Sequence, residues 1–153
     1  MTHTIENTLI TGILCIIIFI PIYLAVRSAR IKKAKKVSNE LSKIEKELNL
    51  SLQAIEHFDS FVIAIDRAKK TIIKMALNDY SPELIDLRGV TSCRLDEEKL
   101  GKATQQLQLI LLDKDKQALH HIVFYRQYVD NEVRLKRTAQ VAAQWEVMIK
   151  ALI

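Results

Sequence analysis

The eighteen residues from Leu9 to Val26 carry no charge, and six cations follow them within ten residues. Nothing else in the chain limits its fold as strongly. The cations are Arg27, Arg30, Lys32, Lys33, Lys35 and Lys36. An α-helix rises about 1.5 Å per residue, so the run approaches the ~30 Å hydrocarbon thickness of a bilayer. A core helix shows a polar face, and this run has none. Pro21 is tolerated by a helix in lipid, and Tyr23 suits the interface near one end.

A cleaved signal peptide requires basic residues before the apolar stretch and a small-x-small site after it. "MTHTIEN" holds no Lys or Arg, and "AVRSAR" interleaves its small residues with arginines. A lipoprotein box wants a small residue before its cysteine, where Leu14 precedes Cys15. The pattern therefore predicts an uncleaved transmembrane helix over 9–26. Cations mark the cytoplasmic flank. The expected topology is single-pass in the inner (cytoplasmic) membrane, with 1–8 outside and the remainder in the cytoplasm. The six basic residues are either a topology signal or a contact surface for anionic membrane lipids.

Charge bounds the partners. Of 23 basic and 18 acidic residues, six basic ones lie in 27–36 and one acid, Glu6, precedes them. Residues 37–153 thus hold 17 of each sign. A nucleic-acid-binding domain carries a basic face over much of its surface, so no nucleic-acid partner is expected. Cys15 and Cys93 form no CxxC and read as small buried hydrophobes, which suits a reducing compartment.

Beyond the basic block the period is helical. Val37, Leu41, Ile44, Leu48, Ser51, Ile55 and Phe58 recur at steps of three and four, a heptad seam with Glu and Lys on the other faces. This predicts a helical stalk within 27–58. Its stripe (Val37, Leu41, Ile44, Leu48 and Ile55) either pairs two copies of the chain or packs on its own domain.

From Asp59 the period becomes two. "SFVIAID" and "TIIKMAL" flank the polar turn "DRAKK" as a hairpin. "NDYSP" breaks the chain, and "ELIDLRGVTSCRL" resumes extended structure, split at Arg88–Gly89. "DEEKLGKAT" reads as a polar loop. "QQLQLILL" and "ALHHIVFYR" form another hairpin around "DKDKQ". Asp130 or Asn131 then caps a helix whose stripe is Leu135, Thr138, Ala142, Trp145, Ile149 and Leu152. Residues 59–153 therefore read as five or six antiparallel strands, a small sheet or partial barrel, capped by a C-terminal amphipathic helix. The fold class is α+β.

Catalytic patterns are missing from the sequence. Three glycines cannot build a phosphate-cradling loop, and there is no HExxH or nucleophile elbow. His120 and His121 point to opposite faces of a strand, so they cannot jointly hold a metal. A zinc site from His57, one of that pair and Cys93 lacks any ligand spacing. Asp113 and Asp115 fit a turn; Asp96, Glu97 and Glu98 fit a solvated loop beside Lys99 and Lys102. No catalytic residue, metal or cofactor is expected.

The segments Phe61 to Ile72 and Ile85 to Leu95, with Ala142 and Trp145 on the last helix, carry a resemblance. The chain from 59 to 153 resembles uncharacterised bacterial and phage-associated proteins with a pleckstrin-homology-like β-domain. The resemblance implies a strand-and-helix fold without a reaction, and binding of peptides or lipid heads on variable surfaces. That family often lacks a transmembrane segment. The combined expectation is a membrane-anchored, non-enzymatic domain presented to a protein partner, a second copy or a membrane complex. The alternative is a lipid or small-ligand sensor at the membrane surface.

Overall fold

The computed structural model describes residues 2–153, with side chains described for 17–28 and 31–153. The chain divides into two compact units, Met1–Lys43 and Ile44–Ile153. A single helix, α1, spans Thr2–Glu47 and crosses that boundary.

The first unit corrects the membrane expectation. Among the described residues, no helix is long and apolar enough to cross a membrane. The part of the apolar run with described side chains is Ile17–Val26. Leu9 to Ile16 lie outside the residues with described side chains, as does the predicted external segment 1–8. The single-pass topology, the inner-membrane placement with its orientation, and the roles built on them are therefore not supported. The separate stalk is corrected too. The helix is continuous through the basic block and stops at Glu47, well short of Ile55 and Phe58.

The stop is a local effect. Asn49 adopts a left-handed conformation (φ 50°), which asparagine tolerates better than most residues. The Leu50 N–H then bonds the Glu45 carbonyl at 2.8 Å, and the Asn49 N–H bonds that of Lys46 at 3.3 Å. Lys69 Nζ adds a bond to the Leu48 carbonyl at 2.9 Å. The last-turn carbonyls of the helix thus find donors.

Seven strands follow, in two antiparallel sheets. The first sheet runs in sequence order through β1 (Gln53–His57), β2 (Phe61–Asp66), β3 (Thr71–Ala76) and β4 (Pro82–Asp86). The second holds β5 (Ser92–Leu100), β6 (Ala103–Leu112) and β7 (Ala118–Arg126). No ladder joins the two, so the partial barrel becomes two separate sheets with no closed barrel. A one-turn 3₁₀ helix at Leu87–Gly89 connects them, started by the Asp86 carboxylate accepting from the Arg88 N–H. The α+β class stands, with helix α2 (Leu135–Lys150) at the end.

Register explains the core. Phe61, Ile63 and Ile65 share one face of β2 and are buried, with Ile72 and Ile85 opposite Ile65 along the ladder. Leu107, Leu109 and Leu111 do the same on β6, beside Ile122 and Phe124 of β7. Ala142, Trp145 and Ile149 of α2 join this cluster, so one helical stripe unites the inner faces of both sheets. The predicted polar loop at 96–104 is instead the end of a long hairpin. Asp96 pairs with Gln108 and Glu97 with Leu107, and the turn is reversed by Gly101 at φ +62°. Thr104 Oγ1 donates to Glu97 at 2.8 Å, and Gln108 Nε2 to Asp96 at 3.2 Å.

Asp66, at the end of β2, is buried at 1% exposure. Its carboxylate accepts the N–H groups of Ser51 at 2.8 Å and Lys69 at 2.9 Å. Those bonds hold its pKa below the usual carboxylate value, the Ser51 N–H first. One acid thereby ties the segment before β1 to the β2–β3 turn.

Candidate functional site

The residues singled out from the sequence scatter. Arg27, Lys32, Lys33, Lys35 and Lys36 are exposed along α1, and the side chain of Arg30 lies outside the described residues. Val37, Leu41 and Ile44 are buried, whereas Leu48 and Ile55 are exposed. Ile55 lies on β1, so the five stripe residues do not share one helix. Among the described residues, no group of three or more His, Cys, Asp or Glu side chains could hold a metal. Cys93 is buried, and that burial pushes its thiol pKa up, which keeps thiolate scarce.

A different surface emerges where β7 leaves its sheet for α2. The connecting loop inverts the usual arrangement of side chains. Its polar residues are tied inward. Asp130 accepts the Arg126 N–H at 2.8 Å through one oxygen and the Ser60 hydroxyl at 3.2 Å through the other. Asn131 accepts the Val133 N–H at 3.0 Å and starts a 3₁₀ turn at Glu132–Arg134. Arg134 pairs with Asp59 of the β1–β2 turn at 2.5 Å. The apolar residues are left in water: Tyr128 is 89% exposed, Val129 72% and Val133 92%. Tyr128 also holds φ at +66°, a conformation that a bulky side chain rarely adopts.

The β5–β6 turn lies at the same end of the second sheet, because β6 begins where β7 stops (Gln106 opposite Arg126). It adds Leu100, 72% exposed. Beside the loop runs a narrow cleft between the β1–β2 turn and the start of α2. Its floor is Phe124, Tyr125 and Val141, and Phe58 stacks on Phe61 at 4.7 Å between ring centres. Its rim is charged, Arg134 and Arg137 standing with Glu56, Asp59 and Asp130, and His57 lies beside them. Burial raises the pKa of Tyr125, so its hydroxyl stays protonated.

Three of the four outer strands, β1, β4 and β5, are poorly suited to pairing with an added strand. β1 carries a bulge between Gln53 and Glu56, with Ala54 at φ +47°. β4 has five residues and begins at Pro82. On β5, the Leu95 N–H is already taken at 3.1 Å by Glu146 of α2. Lys150 holds that carboxylate at 2.8 Å and lowers its pKa.

The loop presents an exposed tyrosine and two exposed valines. What they can do is lose water against a partner. Sequence patterning missed them because "RQYVDNEVR" has neither helical nor strand period. The available signal was two apolar residues immediately before a helix cap, with no periodic partners to bury them. No family model, curated protein or solved structure matches the chain.

Proposed function

We propose that residues 44–153 form a non-catalytic protein-binding module that engages its partner through the Tyr128–Val129–Val133 loop. The observation that carries this is the exposure of three apolar side chains on a segment pinned by Asp130, Asn131 and Arg134. A pinned loop loses little conformational entropy on binding, and tyrosine is enriched at interface centres. The mixed-charge cleft alongside supplies polar groups for the rim of such a contact. The resemblance to pleckstrin-homology-like domains, which implies peptide binding on variable surfaces, supports the same reading. So does the meander of four and then three strands closed by one helix.

A photoreactive amino acid at position 128 of the full chain, irradiated in host cells, tests it. A discrete protein adduct is expected, absent when the label is moved to Lys114 and abolished by Val133→Asp. The adduct mass separates a second copy from another protein. No adduct at 128, or an equal one at 114, overturns the proposal.

A further inference from the structure

Helix α2 has a second surface that the loop does not involve. Its inner stripe is buried, but the outward residues of its C-terminal half include apolar ones beside Gln144 and Lys150. Ala143, Val147 and Ala151 face outward, Val147 at 68% exposure, and Met148 and Leu152 are half-buried beside them. With Arg67 of the β2–β3 turn they line an open apolar depression of about 650 Å³. That volume lies within the range of built ligand sites.

The charge around the depression has one sign. Arg67 stands in its wall, and Lys136 is exposed on a preceding turn of the same helix. No acidic residue lines it among the described residues. Glu146, the one acid of α2, is engaged by the Leu95 N–H and by Lys150. A second copy of this chain offers no complement. The apolar stripe of α1 that runs beside acids (Val37, Leu41 and Ile44, with Glu40, Glu45 and Glu47) is already buried, and α2 carries three cations against one acid. The occupant must bring apolar side chains at helical spacing together with negative charge.

We propose that this groove receives an amphipathic helix of a partner protein, its apolar stripe seated on Val147, Met148 and Ala151 and its acidic flank against Arg67. Recognition is of the helix-in-groove kind, with anchors at i, i+3, i+4 and i+7. The cationic wall selects the partner by charge and speeds encounter, so binding weakens as salt rises.

The test uses the full chain and two labelled synthetic helices of about 18 residues, long enough to be helical on binding. Both carry leucines at that spacing; one has Glu elsewhere and its twin has Lys. Fluorescence polarisation should show the Glu peptide binding at least about tenfold more tightly than the Lys peptide. Val147→Lys should weaken the Glu peptide by a similar factor, and Arg67→Glu should reverse the preference. Melting and Trp145 emission report whether each variant is folded, and Ala151→Lys substitutes for Val147→Lys should the latter unfold. Equal binding of the twins, no binding of either, or binding indifferent to Val147→Lys overturns the proposal. Tyr128→Gly should leave peptide binding intact, which separates this groove from the loop surface.

Discussion

Replacing Asp66 by Asn should cost this protein more stability than its size suggests. Asp66 accepts two backbone N–H groups, those of Ser51 and Lys69, in a buried position. Hydrogen bonds to charged groups contribute about 1.5–3 kcal/mol each. Asparagine keeps one acceptor oxygen, now uncharged, and turns an NH₂ toward the other donor. The expected loss is about 2–4 kcal/mol, one weakened bond plus one buried N–H left opposing a donor. At roughly 3–4 °C per kcal/mol for a chain near this size, the melting temperature should fall by about 6–16 °C. Urea denaturation of the full chain, followed by Trp145 fluorescence, measures it.

The pH dependence has a fixed sign. The folded pKa of Asp66 lies below its ordinary 3.8. Its contribution is therefore fully present above that value and disappears as pH falls through the folded pKa. The gap between wild type and Asp66→Asn should be constant from pH 5 to 8 and shrink below pH 4. A variant within about 0.5 kcal/mol of wild type, the usual range for inert surface changes, would refute the reasoning. So would a gap that widens on acidification.

Trp145→Ala should cost about 3–5 kcal/mol, because the indole fills the centre of the cluster shared by both sheets; thermal melting by circular dichroism reads it. Cys93 should resist iodoacetamide at pH 8 in the native protein and react once urea is added, with peptide mass spectrometry locating the label. Native labelling as fast as in urea would contradict its burial. Tyr128→Gly should raise stability by about 0.5–1 kcal/mol, read by urea denaturation, since glycine accepts φ +66° without strain. A destabilised variant would mean that the ring is held by contacts it does not show.

Where periodicity was strong the sequence reading held. The hairpin of β2 and β3 and the buried stripe of α2 follow from alternation and 3.6-residue spacing. β1 was missed because it is short, bulged and carries one large apolar residue, Ile55, which is itself exposed. The heptad spacing ran through Asn49 unbroken, although asparagine there was the available stop signal. The acidic part of β5 leaves no hydrophobic trace, since its side chains are satisfied across the hairpin by Thr104 and Gln108. The apolar run was plain to see, yet among the described residues no helix is long and apolar enough to cross a membrane. The loop surface was illegible for a different reason. Tyr128 is exposed because Asp130 reaches Ser60 and Arg134 reaches Asp59, contacts 70 and 75 residues apart.

Each strand of the two sheets lies beside its sequence neighbour, so pairing can proceed in the order of synthesis. The helix carrying Trp145 leaves the ribosome after all seven strands. Until it arrives, Leu107, Leu109 and Ile122 have no lid. A nascent chain stalled near Asp130 would therefore display a greasy, half-built sandwich, and chaperone capture should peak at that length.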